Sequence, residues 1–254
     1  MIDLTNKVAL VTGASRGIGR ATACQLAAAG ADVILNYITS QSAAREVADQ
    51  IRALGRRTAV VRGDVSEPED VSAMIEFVRD EFGQLDILIS NVATGGFRLL
   101  SQATPQHFAS VMQTNALATV GLVQAALPLL RAATDRAKVV ALSSHGSHLA
   151  LPAYGLIGSS KAALESLMRQ LALEHGDDGI NFNVVLAGLV ETDSTRALPG
   201  ADSMFAAVQE RMLVSGRTLT ADDVAHVIVF LSSQLSDMIQ GETIVVDGGV
   251  GIRG

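Results

Sequence analysis

The stretch Val8-Ala9-Leu10-Val11-Thr12-Gly13-Ala14-Ser15-Arg16-Gly17-Ile18-Gly19 decides how the chain is read. Four consecutive apolar residues read as a strand buried on both faces, and the glycines after them allow a tight turn into a helix. At such a turn the backbone amides come close to a pyrophosphate held on the helix N-terminus. A glycine triplet alone says little. Between a buried strand and a helix, within the first twenty residues, it says much more. The plainer alternative is a tight turn that binds nothing.

Outward from this turn, short β-branched runs alternate with longer helical stretches. Strands are predicted at 7–12, 32–37, 57–62, 86–91, 138–143, 180–186 and 243–246. Helices are predicted at 18–29, 42–54, 68–82, 105–131, 159–175 and 221–232. This alternation implies an α/β architecture, a doubly wound parallel sheet of about seven strands with helices on both faces. Pro68 suits a first helical position, with Glu67, Glu69 and Asp70 complementing the helix dipole. Thr104-Pro105 opens the next long helix in the same way, and Pro128 is expected to kink or end its last turns. No linker or repeat divides the chain, so residues 1–254 read as one domain. The least regular stretch, 192–216, holds Pro199-Gly200 and the apolar set Met204, Phe205, Met212 and Leu213. It is a candidate substrate lid, although those four residues read equally well as ordinary core.

Composition narrows the class. The chain has 254 residues, 48% hydrophobic and 18% charged, with a formal net charge of −7, and its mean hydropathy of +0.33 with abundant Ala and Val excludes a disordered chain. The acidic balance argues against nucleic acid and anionic membrane as partners. One cysteine, Cys24, cannot form an internal disulfide and fits a reducing, cytoplasmic setting. His145 and His148 have no matched carboxylate or thiolate cluster, so no metal is expected.

At the end of the second predicted strand stand Asn36, Tyr37, Ile38, Thr39 and Ser40. An acidic residue here would bind both ribose hydroxyls of NADH, and it is missing. Arg16 can meet a 2′-phosphate, and Tyr37, Thr39 and Ser40 offer hydroxyls, which favours NADPH over NADH. Against this, Arg16 also reads as a solvated surface residue, and Thr39 is not a second base.

Over essentially its whole length the sequence resembles the short-chain dehydrogenase/reductase family. The resemblance rests on the glycine turn, Asp64-Val65, Asn91-Val92-Ala93-Thr94, Asn115, Ser143-Ser144, Tyr154 with Lys161, Ala187-Gly188-Leu189-Val190-Glu191-Thr192 and Val246-Asp247-Gly248-Gly249. It implies a Rossmann-like fold in which Gly13, Ser15, Arg16, Gly17, Ile18 and Gly19 hold the cofactor phosphates. By the same resemblance Asp64 and Val65 hold adenine, Asn91 and Ala93 line the cofactor, and Gly188, Val190 and Thr192 lie at the nicotinamide. Family members usually have Asn-Asn-Ala-Gly where this chain has Asn91-Val92-Ala93-Thr94, and Pro-Gly where it has Ala187-Gly188.

The catalytic spacing departs further. In ordinary members a tyrosine precedes the lysine by four residues and a serine precedes that tyrosine by thirteen. Here Ser144 and Lys161 keep the combined spacing of 17, but residue 157 is isoleucine. The chain's two tyrosines are Tyr37 and Tyr154, and Tyr154 stands seven before Lys161. This Tyr-x6-Lys pattern is similar to the NADPH-using type III enoyl-acyl carrier protein reductases. If residue 154 were helical, its side chain would sit about 4.5 Å and about 60° away from the ordinary position. The resemblance implies Tyr154, Lys161, Ser144 and Asn115 as the catalytic set, with Lys161 holding the nicotinamide ribose and favouring charge transfer to the phenol. Ser144 would help hold substrate, and Asn115 would anchor water behind Lys161. It further implies an enoyl-thioester substrate, an acyl carrier protein as candidate partner and a homodimer or homotetramer. Two other readings remain open, a ketoreductase and a non-catalytic NADP-binding sensor. Duller readings make Tyr154 a surface residue, Lys161 an exposed helix lysine and Arg98, Arg196 and Arg211 solvated.

Overall fold

The computed structural model describes residues 2–196, 200–214 and 216–252. Seven strands, β1 (Val8–Val11), β2 (Asp32–Tyr37), β3 (Thr58–Arg62), β4 (Ile87–Ser90), β5 (Ala137–Ser144), β6 (Ile180–Ala187) and β7 (Thr243–Val246), form one sheet. Its order is β3-β2-β1-β4-β5-β6-β7, and every pair is parallel. The helices are α1 (Gly17–Ala28), α2 (Gln41–Ala53), α3 (Pro68–Phe82), α4 (Pro105–Met112), α5 (Ala118–Arg131), α6 (Gly155–His175), α7 (Asp193–Arg196), α8 (Ala201–Arg211) and α9 (Ala221–Leu231).

Continuous apolar strands follow from burial on both faces. Ala9, Val11, Val33, Leu35, Ile87 and Ile89 point into one core, with Leu26 of α1 and Ile228 of α9. The alternate residues Val8, Leu10, Ile34 and Leu88 enter a second core, with Met74 of α3, Leu122 of α5 and Leu164 of α6. Strand order reverses between β1 and β4, which opens a crevice at their carboxyl ends, where the glycine turn and Asn91 stand.

Most of the boundaries expected from sequence lie within a residue or two of those observed, and three points differ. Residues 105–131 run as one continuous helical stretch, but with a π bulge at Gln113–Leu117 between its α-helical parts α4 and α5. Pro128 lies inside α5, which does not end there but continues to Arg131. α6 begins at Gly155 rather than at 159, leaving Tyr154 as its N-cap residue with φ −100° and ψ 4°. The helical displacement calculated for residue 154 therefore does not apply. At α4, Thr104 accepts a hydrogen bond from His107 N–H while the His107 ring accepts from Thr104 N–H, a reciprocal cap that the sequence reading missed.

Gly19 seats α1 on the turn. A Cβ there would lie 2.3 Å from Gly13 O and 2.6 Å from Asn91 Nδ2. Gly19→Ala is expected to destabilise the fold by about 1–3 kcal/mol, read as a lower denaturation midpoint in urea.

Candidate active site

The turn after β1 is braced from both sides. Gly13 and Gly17 have φ of +61° and +55°, a region that favours glycine. Asn36 Oδ1 accepts Gly13 N–H at 3.2 Å, and Asn91 Nδ2 donates to Thr12 O at 3.0 Å and Gly13 O at 3.3 Å. The amide of Asn91, expected to line a cofactor, thus supports the turn. The N-terminus of α1 has no side-chain cap and no acid in its first turn. Arg16 is exposed at its N-cap, Ser15 and Ile18 are half-buried, and a Cβ on Gly17 would meet Thr192 at 3.3 Å. Open amides, positive-φ glycines and an adjacent guanidinium form a cradle that fits a dinucleotide phosphate.

At the end of β2, Tyr37 is buried, while Thr39 is exposed and Ser40 half-buried. Arg62 of β3 pairs in register with Tyr37, and its Nε donates to Ile38 O at 3.3 Å. A second cation therefore stands at the strand end, although none follows Tyr37 in sequence. Only the register of β3 against β2 reveals it. Asp64 Oδ1 accepts Ser66 N–H at 2.9 Å and Ser66 O–H at 2.6 Å, which closes a turn and fixes the carboxylate at the end of β3. Val65 is buried and Ala93 exposed. Val190 is buried with its carbonyl accepting Thr195 O–H, Thr192 belongs to the same turn, and a Cβ on Gly188 would touch Asp247.

The structure brings Ser144 and Tyr154 together, with Oγ and Oη 3.1 Å apart. Three contacts hold the tyrosine. Its ring lies over Gly146, where a Cβ would come 2.4 Å from Cδ1. The Phe97 ring packs at 5.4 Å between centroids, tilted by 54°. Ala153 before it takes φ +56°, an uncommon conformation for alanine, with its carbonyl accepting Arg98 N–H at 2.6 Å. Ile157, at the family's ordinary tyrosine position, is buried, and its Cγ1 would lie 2.6 Å from a Cβ on Gly95. Phe97, Gly146 and Gly95 belong to no motif that would mark them in the sequence.

Lys161 is buried rather than an exposed helix lysine, and its Nζ donates to Leu142 O at 2.6 Å. Burial pulls its pKa down to about 8, with the Glu165 carboxylate acting against the fall. Tyr154 is shifted the other way: burial raises its phenol, and the Ser144 hydrogen bond opposes this. Asn115 sits in the π turn, a local irregularity common at functional sites. Its Oδ1 accepts Thr94 N–H at 2.7 Å, and its Nδ2 donates to Thr94 O and Ser160 Oγ. These bonds make the Asn115 side chain a clamp between the Thr94 loop and α6.

Beside Tyr154 lies an open groove of about 460 Å³ between Leu99 and Leu100 on one side and Leu149 and Leu151 on the other, with Arg98 at its edge. Met212 and Leu213 do not line it. They dock on the turn at Gly248 and Gly249. Met204 and Phe205 of α8 are half-buried, and Pro199 lies outside the described residues. Arg196 pairs with Glu191 and Asp202 and stacks on Phe205, so it is not simply solvated. His145 lies 2.9 Å from Asp247 and His148 2.8 Å from Glu165.

Residues 13–251 match a family model described as enoyl-(acyl carrier protein) reductase. The chain is a reductase of the short-chain dehydrogenase/reductase family. It is 35% identical to a 1-cyclohexenylcarbonyl-CoA reductase of Streptomyces collinus, covering 97% of this chain and 87% of that one. It is 32% identical to a versicolorin reductase of Emericella nidulans, with 97% and 96% covered. A short-chain dehydrogenase from Burkholderia cenocepacia, solved in complex with NADP, superposes with a TM-score of 0.89 at 33% identity, covering 98% and 99% of the two chains.

Two outcomes test this geometry. Gly146→Ala should displace the Tyr154 ring and reduce turnover by about 100-fold with far-UV circular dichroism unchanged. Because the Lys161 pKa falls from 10.5 to about 8 on folding, the unfolded chain binds more protons between those values. Stability therefore gains from Lys161 as pH rises from 8 to 10.5, and urea midpoints of wild type should climb relative to Lys161→Met over that interval.

Proposed function

We propose that this protein reduces the carbon–carbon double bond of a trans-2-enoyl thioester, carried on coenzyme A or an acyl carrier protein, with NADPH. The observation that carries the reading is the pairing of Ser144 with Tyr154, not with residue 157, beside an apolar groove. Arg16 and Arg62 would meet the 2′-phosphate, the α1 N-terminus the pyrophosphate, and Lys161 the nicotinamide ribose. When bound, NADPH supplies the hydride, which this reading directs to the β-carbon. Negative charge then develops on the thioester oxygen, and Tyr154 O–H donates a hydrogen bond to it. Burial keeps the phenol protonated, as a donor must be. Ser144 aligns the phenol, and the α-carbon takes its proton from solvent or through Tyr154.

Leucines at 99, 100, 149 and 151 suit an acyl group, and α8 with its flanks, within 192–216, would close over it as a lid. The relative that acts on a cyclohexenylcarbonyl thioester supports the enoyl reading. A ketoreductase is the second reading, favoured by the versicolorin reductase relatives and by the retained Ser144 position. Phe108, Leu117 and Leu173 leave exposed apolar surface on α4, the π turn and α6, which supports a homodimer or homotetramer. A cytoplasmic location belongs to the same reading.

The experiment follows NADPH oxidation with trans-2-enoyl and 3-oxoacyl thioesters in parallel. Enoyl turnover that falls about 100–1,000-fold in Tyr154→Phe is the expected result. Turnover of the keto substrate alone, or an unaffected variant, removes conjugate reduction. NADPH binding with neither turnover favours a sensor.

A further inference from the structure

Ser143 and Ser144 end β5 facing opposite ways, as alternate strand residues do. Ser144 meets Tyr154, whereas Ser143 Oγ donates to Glu165 Oε1 at 2.5 Å. The Glu165 side chain is 3% exposed, and its Oε2 lies 2.8 Å from His148 Nε2, whose own side chain is 58% exposed. Glu165 follows Lys161 by four residues on α6, so the two buried groups share one helix face. A buried carboxylate persists only when hydrogen-bonded or paired, and a buried ammonium needs an opposite charge nearby. Glu165 already has Ser143 and His148, whereas Lys161 Nζ donates to the neutral Leu142 carbonyl, so Lys161 is the group that needs a counter-charge.

We propose that Glu165 is a positioning residue, a fixed counter-charge clamped by Ser143 and His148 that holds Lys161 as an ammonium and sets the charge it presents to a nucleotide ribose. The ribose contact rests on the function proposed above, and the counter-charge does not. The other titratable groups around the pair are already committed or distant. Tyr154, bonded to Ser144, stands at the N-cap of α6, and along the helix follow Arg169, exposed a turn beyond Glu165, Glu174, bonded to Gln170, and His175, beside Asp178. From the turn after β5 come His148 and His145, the latter beside Asp247. His107 caps α4, and Lys138 pairs with Asp237 near the start of β5. β6 and the π turn contribute no titratable side chain.

The chain's three lysines, Lys7, Lys138 and Lys161, allow each to be titrated separately by carbon-13 NMR of ε-labelled lysine in cofactor-free protein. Glu165→Gln is expected to lower the Lys161 midpoint by about one pH unit or more, a tenfold loss of proton affinity, and to leave Lys7 and Lys138 in place. Glu165→Asp should restore part of the shift. His148→Ala should produce a smaller fall, because water then reaches and screens the carboxylate. An unchanged Lys161 midpoint in Glu165→Gln overturns the proposal, and so does an unchanged midpoint in His148→Ala should Glu165→Gln fail to fold. NADPH titration of the same proteins at pH 8 should show Kd raised about fivefold or more in Glu165→Gln and near wild type in Glu165→Asp. A lowered midpoint with unchanged Kd overturns the ribose contact and leaves the counter-charge standing.

Discussion

Gly146 and Gly158 meet where the loop after β5 crosses the first turn of α6, and the candidate active site is built around that contact. A Cβ on Gly158 would stand 2.4 Å from Gly146 O, so only glycine lets the loop lie this close to the helix. The Tyr154 ring occupies the space that a side chain on Gly146 would take. From that seat the phenol reaches Ser144, and the groove acquires one polar floor group between leucine walls. Close approach of two backbones is thus what allows a tyrosine outside the ordinary frame to serve the same serine.

Two clamps extend this arrangement. Asn115 ties Thr94 to Ser160, joining the loop after β4 to α6. Phe97 and the Arg98 N–H, from the same loop, grip the tyrosine and the residue before it. Loops that carry function need a rigid support, and here the π turn and α6 supply it. Farther along α6, Glu165 and Lys161 form a second buried set that meets the end of β5, Glu165 at Ser143 Oγ and Lys161 at Leu142 O. One strand end therefore distributes two adjacent hydroxyls to two different tasks.

Much of this was legible in the sequence. Apolar strands with no alternation announced a sheet covered on both faces, and the glycine turn fixed where its first crossover begins. The frame of Ser144, Tyr154 and Lys161 was readable because its spacing survives the loss of tyrosine at 157. What sequence did not disclose are contacts set by register and packing. Arg62 arrives beside Tyr37 only through β2–β3 pairing. Asn115 and Asp64 carry recognisable motifs, yet the bonds of Asn115 to Thr94 and Ser160 and of Asp64 Oδ1 to Ser66 are ones that no motif predicts. The π turn arises in a stretch whose apolar pattern continues unbroken from one helix to the next, and the proline that drew attention lies beyond it.

Ile157 against Gly95 has a consequence for how such a site changes over time. The isoleucine does not merely vacate the ordinary tyrosine position. It fills it, and the loop carrying Gly95 rests on it with no room for a Cβ. A larger side chain at 157 presses on that loop, and with it on the Phe97 and Arg98 contacts that hold Tyr154. The two tyrosine positions are therefore coupled through one loop, and a tyrosine placed at 157 calls for a matching change around Gly95.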